Sequence, residues 1–273
     1  MIEKIFVFII GNIVGSFLNV CIYRLPKDTS IIKPASFCPK CKTPIKWYDN
    51  IPLISFIFLK GMCRQCKERI CPRYPLVELI TGLLFFIFYL RFGLTPEFFK
   101  YVFFFSLLVV VSFIDIDYHA IPFYLCAIGI IVGLFFSLAE TVNFLKLGVF
   151  NLRGLPLFKS LKGLMFGFGF AYLFKFFGDI FVTIYLALRK KESIEGEKES
   201  LGLGDVDFMG MVGIFLGLKS VVLVFFLAPF VALAYSIYAL VFKKSHLIPY
   251  LPYLSLAVLI TFFWGNKILS FIF

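Results

Sequence analysis

Charge is scarce in this chain: Asp, Glu, Lys and Arg make up 16% of its 273 residues, while 61% are hydrophobic and 39 are Phe. That balance excludes an ordinary soluble globular protein. Several apolar runs of about 20 residues are each long enough to cross a hydrocarbon core of roughly 30 Å. Eight such spans consume roughly 160 residues, so no soluble domain of ordinary size fits in the remainder, and one loop alone is large enough to fold separately. A small-residue cleavage site is missing after Met1–Tyr23, which has an acidic start at Glu3 and carries Gly11, Asn12, Ser16 and Asn19 within its apolar stretch. A retained first helix is therefore expected rather than a removed signal peptide. Convincing internal repeats are also missing, as is any glycine-rich loop of the familiar nucleotide-binding type.

What is present is an all-α polytopic pattern of about eight transmembrane helices. The hydropathy predicts helices near 4–23, 75–92, 99–117, 121–139, 160–188, 206–217, 220–242 and 249–271, the sixth too short to cross without tilt or help from a neighbour. The formal charge of +11 would point to nucleic acid in a soluble protein, but in a membrane chain its placement matters more. Eleven Lys/Arg face only Asp28, Asp49 and Glu68 between Arg24 and Arg73, which makes that loop cytoplasmic by the positive-inside rule. Alternation then places 189–205 and Lys243–Lys244 on the same side, and both termini outside. Membrane lipid, not nucleic acid, is the expected partner of the charge. The fairly apolar 140–160 connection is expected along the interface, and 192–199 reads as a flexible loop.

Within the basic loop, Cys38-Pro39-Lys40-Cys41 and Cys63-Arg64-Gln65-Cys66 form two CxxC pairs separated by 21 residues. Two such pairs present four thiolates to one ion, which is the donor set of a structural zinc site. A disulfide or redox role competes, but a cytosolic loop is kept reduced and two matched pairs exceed what a redox motif requires. Cys71 reads as a bystander, and Cys21 and Cys126 as buried small hydrophobes. A loop of this size has little core, so the ion should supply much of its folding energy. Between the pairs, Trp47, Tyr48, Asp49 and Asn50 either line a small pocket or pack over the ribbon.

Two acidic motifs stand out against the apolar background: Asp115 in Phe113-Ile114-Asp115-Ile116-Asp117 and Asp205 in Gly202-Leu203-Gly204-Asp205. Carboxylates beside hydrocarbon are costly and mark function by default. The predicted topology puts both at one cytoplasmic depth, where two carboxyl groups sharing a proton can hydrolyse a peptide bond. Asp117 and Asp207 lie two residues further on, about 200° around a helix, so only one member of each pair faces a shared site. Helix geometry does not say which. Asp205 and Asp207 also favour a helix N-terminus simply as charges, whereas Asp115 and Asp117 oppose a C-terminal dipole, which argues more strongly for function at the first cluster. Lys175 and Asp179, four apart inside the fifth span, read as a structural ion pair.

These residues together resemble the bifunctional type IV prepilin peptidases, which belong to the GxGD intramembrane aspartic proteases. The match runs from Gly15-Ser16-Phe17-Leu18-Asn19-Val20 and Tyr23-Arg24-Leu25-Pro26 through the two CxxC pairs. It continues through Trp47-Tyr48-Asp49-Asn50-Ile51-Pro52 and Arg73-Tyr74-Pro75-Leu76-Val77-Glu78 to the two Asp motifs. The resemblance implies an aspartic endopeptidase with Asp115 and Asp205 as its catalytic acids. Its substrates would be type IV prepilins or pseudopilins, cut after the Gly that ends a basic leader. It also implies an N-methyltransferase that uses S-adenosylmethionine on the exposed residue, in a bacterial cytoplasmic (inner) membrane. The division it suggests is a first helix over 1–23, a zinc-binding domain over 24–74 tied to methyl transfer, and a peptidase domain over 75–273. Two positions depart from the pattern: Phe123 stands where an Asp is common, and Asp207 where a Lys is. The competing classes are a proton-coupled transporter, which would use the acids as relays, and a zinc-bearing scaffold, in which they would be dispensable.

Overall fold

The apolar runs become long helices because lipid offers no partner for a backbone N–H or C=O, leaving the helix as the way to satisfy them within one segment. The computed structural model describes residues 2–148, 152–189, 200–241 and 249–272. Along it run α1 (Ile2–Arg24), the short α2 (Ile54–Phe58), α3 (Arg73–Phe92), α4 (Pro96–Tyr118) and α5 (Phe123–Lys146), then α6 (Pro156–Arg189), α7 (Leu203–Leu216), α8 (Leu218–Val241) and α9 (Leu251–Ile272). No strand forms among the described residues, only isolated bridges between Phe37 and Pro44 and between Met62 and Arg69. Lys190, Lys191, Lys198, Lys243 and Lys244, used in the orientation argument, and the 192–199 stretch lie outside the described residues.

The eight predicted helices all have counterparts, but six of them are long and apolar enough to cross a membrane among the described residues. This is a multi-pass membrane protein. Of the other two, α8 runs 24 residues, with Leu218–Leu233 its apolar stretch among the described residues, while the 14 residues of α7 rise only about 21 Å. The fourth predicted span runs past residue 139 to Lys146 because Thr141 serves two helices. Its hydroxyl donates to Ser137 O (2.7 Å) and accepts from Leu157 N–H at the start of α6 (2.9 Å). The connection expected over 140–160 is correspondingly shorter.

The chain divides into two compact units, Met1–Tyr118 and His119–Phe273. In the first, α1 and α3 pack closely because small residues four apart let the backbones approach. A Cβ on Gly11 would lie 2.8 Å from Gly82 Cα, and one on Gly15 would lie 2.7 Å from Glu78 Cα. The inner face of α4, with Phe104, Phe105, Leu108, Val111 and Ile114 buried, covers that pair, and Phe88 meets Phe105 at 5.0 Å between ring centroids. The segment between α1 and α3 folds as a zinc-ribbon-like domain, described below.

In the second unit α7 is apolar all round and packs against α5, α6 and α8, as expected of a helix walled in on most sides. Gly163 of α6 and Gly213 of α7 face each other so closely that a Cβ on either would strike the other's carbonyl oxygen, and a Cβ on Gly167 would strike Met209 O. Phe170, Phe174 and Phe225 stack where α6 meets α8, with Phe174 and Phe225 centroids 4.4 Å apart. Since neither backbone can yield, Gly213→Leu should force the helices apart and cost at least about 2 kcal/mol. The expected result is a lower thermal midpoint in detergent for G213L. The exposed Gly169, which has open space around its Cβ position, should tolerate Ala with little change.

Candidate active and metal-binding sites

The two CxxC segments fold into matching knuckles. Cys38 N–H donates to Thr43 O (3.0 Å) and Lys42 N–H to Cys38 O (2.9 Å). In the second knuckle Cys63 N–H donates to Glu68 O (2.8 Å) and Lys67 N–H to Cys63 O (3.0 Å). Lys42 and Lys67, each directly after the second cysteine, take the left-handed conformation at φ 59° and 57°. The repeated hydrogen bonds turn both sulfurs of each knuckle to one side. The four Sγ atoms of Cys38, Cys41, Cys63 and Cys66 lie within 4.8 Å of one another, Cys38 and Cys66 at 3.9 Å.

Thiolates arranged tetrahedrally about 2.3 Å from an ion stand about 3.8 Å apart, so the donor set can hold a metal such as zinc. Its electrostatics agree. Hydrogen bonds from the Thr43 side chain and backbone hold the Cys41 thiol down at about 6. Backbone N–H groups of Cys66 and Gln65 lower Cys63. For Cys66, the Glu68 N–H favours the thiolate, but desolvation and the neighbouring sulfurs outweigh it and push the group up to about 11. A divalent cation among the four sulfurs would relieve the repulsion between neighbouring thiolates. The cysteines are free, with Cys71 exposed and Cys21 and Cys126 buried.

The predicted Trp47–Asn50 segment is a 3₁₀ turn leading to α2. Trp47 is exposed and edge-on to Tyr48 at 5.6 Å. Asp49 receives two hydrogen bonds from Arg64 Nε and one from Nη2, at 2.6–3.1 Å, and that guanidinium holds its carboxyl below the ordinary range. The turn is thus tied to the second knuckle. Asp49 and Asn50 also border a cavity of about 960 Å³ walled by α1, α3 and this loop.

The cavity contains groups to which sequence reasoning had given no role. Glu78 of α3 is only 9% exposed and accepts from Leu53 N–H at 2.9 Å. Asn19 Nδ2 donates to Tyr74 O (3.0 Å), while Asn12 Oδ1 and Asn19 Oδ1 are buried without a hydrogen-bond partner. The signal was available, since a carboxylate and amides inside apolar runs mark functional positions.

At the end of α4 the two candidate acids have different environments. Asp115 is 8% exposed on the buried face, whereas Asp117 lies toward the surface in an ion pair with Arg73 at the start of α3. Helix periodicity left the choice open, and a partner 44 residues away distinguishes them. The helix ends immediately afterwards, with His119 at φ 51° and Pro122 capping α5.

In the second unit Asp205 stands in the first turn of α7 and accepts from Gly202 N–H at 3.2 Å, closing the Gly-Leu-Gly-Asp turn on itself. Gly204 is needed because a Cβ there would come 2.8 Å from Ile121 Cδ1. Lys175 and Asp179 pair at 3.2 Å as predicted, but they also do something more. Lys175 Nζ donates to Leu201 O (2.8 Å), and Asp179 Oδ1 accepts from Ser200 N–H (2.7 Å) and Ser200 Oγ–H (2.8 Å). The pair therefore clamps the residues that lead into the Asp205 turn, a role that spacing along α6 did not reveal.

Comparison with known proteins agrees with this layout. The family described as Bacterial Peptidase A24 N-terminal domain matches residues 9–92, and the Type IV leader peptidase family matches residues 102–237. The chain is 30% identical over 267 residues to a prepilin leader peptidase/N-methyltransferase of Bacillus subtilis (strain 168), covering 97% of this chain and 95% of that protein. Proteins of the same name from Klebsiella pneumoniae and Myxococcus xanthus (strain DK1622) are 34% and 38% identical. Each match covers 78% of this chain, with 84% of the first protein and 56% of the second. No solved structure matches. With two family matches in sequence order and relatives that align along nearly its whole length, the chain belongs to the type IV leader peptidase family.

Proposed function

We propose that this protein removes the leader peptide of type IV prepilins or pseudopilins and methylates the amino terminus it exposes, with S-adenosylmethionine as methyl donor. The observation that carries this is the alignment over 97% of the chain with a relative bearing both activities in its name. The basic charge of the 24–73 loop supports a cytoplasmic position for the cysteine cluster, in a bacterial inner membrane. Asp115 and Asp205 are the catalytic acids. One carboxylate takes a proton from water as its oxygen bonds to the scissile carbonyl carbon, and the other donates its proton to the carbonyl oxygen. The C–N bond then breaks as a proton passes to the leaving nitrogen, which becomes the new amino terminus.

Cys38, Cys41, Cys63 and Cys66 hold zinc, whose part is to fold the 24–74 domain rather than to react. Methyl transfer belongs with that domain and peptide cleavage with residues 75–273. Nothing favours a transporter or a non-catalytic scaffold, and the resemblance of both acid motifs to those of the family supports a hydrolytic use for them. Asp49 and Asn50 border the space open to the methyl donor, Trp47 and Tyr48 belong to the same turn, and the Arg64–Asp49 pair keeps that wall in place.

Asp115→Asn and Asp205→Asn should each lower prepilin cleavage by at least about 10³-fold, because neither amide can exchange the required proton. Asp117→Asn should stay within about tenfold of wild type, since it loses an ion pair with Arg73 rather than a reacting group. A gel-shift or mass assay of prepilin processing reads both, and full-rate cleavage by either D115N or D205N contradicts the assignment. Cys38→Ser with Cys63→Ser should remove one zinc per chain by elemental analysis and abolish methylation. Undiminished methylation after proven zinc loss contradicts the role given to the metal.

A further inference from the structure

The cavity beside the cysteine domain has a polar floor and an apolar flank, and they belong to different faces of the same helix. Asn12, Ser16 and Asn19 follow one face of α1 at helical spacing and border the cavity together with Glu78 of α3. Ile9, Ile13, Phe17 and Val20 follow the next face and also border the cavity, with Ile13 55% exposed. An apolar strip thus leads to a buried carboxylate.

The chemistry of the floor selects a donor. Glu78 accepts from Leu53 N–H and lies within hydrogen-bonding reach of the Ser16 hydroxyl, two neutral donors that leave acceptor capacity on the carboxylate. Asn19 has its Nδ2 committed to Tyr74 O, one turn before Glu78, so its buried Oδ1 faces its surroundings as an unmet acceptor. Among the described residues no Lys or Arg lies within salt-bridge distance of Glu78. Three of the five basic groups that border the cavity are occupied elsewhere: Arg24 donates to Ser30 O (2.9 Å) and Pro34 O (2.7 Å), Arg64 holds Asp49, and Lys40 pairs with Glu68. An unpaired carboxylate beside hydrocarbon is costly, so the floor is complementary to a cation with several N–H donors.

We propose that this recess seats the free amino terminus of an apolar helix. The Glu78 carboxylate and Asn19 Oδ1 receive its ammonium group, and the Ile9, Ile13, Phe17 and Val20 face lies along the helix behind it. Resting on the function given above, the occupant is the newly cut substrate, whose apolar segment begins at the amine that methylation requires. Seating the amine here would hold it beside the cysteine domain after the leader has left.

The test uses the full chain in nanodiscs of phosphatidylglycerol, which contains no lipid amine to compete. Binding of a labelled synthetic apolar helix is compared with its amino terminus free and acetylated. Wild type should bind the free-amine peptide about tenfold more tightly, the scale of one charge-assisted contact. Glu78→Gln keeps an oxygen for Leu53 N–H and should lose that preference while binding the acetylated peptide like wild type. Glu78→Asp should retain part of it. Equal binding of both peptides to wild type, or a preserved preference in E78Q, overturns the assignment. E78Q should also keep the wild-type thermal midpoint in the same nanodiscs, since its amide oxygen still accepts from Leu53 N–H. A lowered midpoint together with loss of the preference would make Glu78 a support of the fold and would also overturn it. A wild-type chain that shows the preference yet processes no prepilin leaves the amine seat standing and removes only the enzymatic reading.

Discussion

Polar groups in hydrocarbon must find partners, and that requirement shapes nearly every local feature of this protein. Lys175 and Asp179 settle inside α6 by pairing, then use their remaining capacity on Ser200 and Leu201. Glu78 is anchored by a backbone N–H from the loop beside it, and Asp117 by Arg73. Because lipid supplies no hydrophobic drive for helices to associate, close packing takes over: the Gly11–Gly82 and Gly163–Gly213 approaches bring backbones together where any larger residue would collide.

Outside the hydrocarbon the constraint is reversed. The 24–72 segment has water for its polar groups but little apolar surface to bury, so four sulfurs and two hydrogen-bonded knuckles replace a core. The cross-links radiate from that centre. Arg64, inside the second knuckle, fixes Asp49 in the turn, and Leu53, in the same segment, reaches Glu78 at the top of α3. Cysteine cluster, turn and membrane helix are therefore one connected structure, which explains how a domain without an extensive core can define a cavity against α1 and α3.

Much of this was legible in the sequence. Apolar runs located the long helices, and the CxxC spacing identified the four sulfurs that converge. The shortness of α7 was legible as well, since 206–217 reads as too short to cross unaided and the helix has 14 residues. The extension of α5 to Lys146 depended on Thr141 finding Leu157, a contact invisible to periodicity. Helix geometry did not rank Asp115 against Asp117, and the family resemblance was needed for that; the fold adds that Asp115 is buried while Asp117 pairs with Arg73. Glu78 was readable as an acid within an apolar helix. Its bond to Leu53 and the unmet amide oxygens around it required the fold.

The central claim is that one chain both cuts a leader and methylates what it exposes. The most direct measurement is the intact mass of a prepilin coexpressed with this protein in cells lacking another leader peptidase, followed by sequencing of the mature amino terminus. The account predicts a product shortened at a single peptide bond after glycine and heavier by one methylene on its new α-amine. A prepilin recovered at full length, or cut and left unmethylated with S-adenosylmethionine in excess, would contradict it.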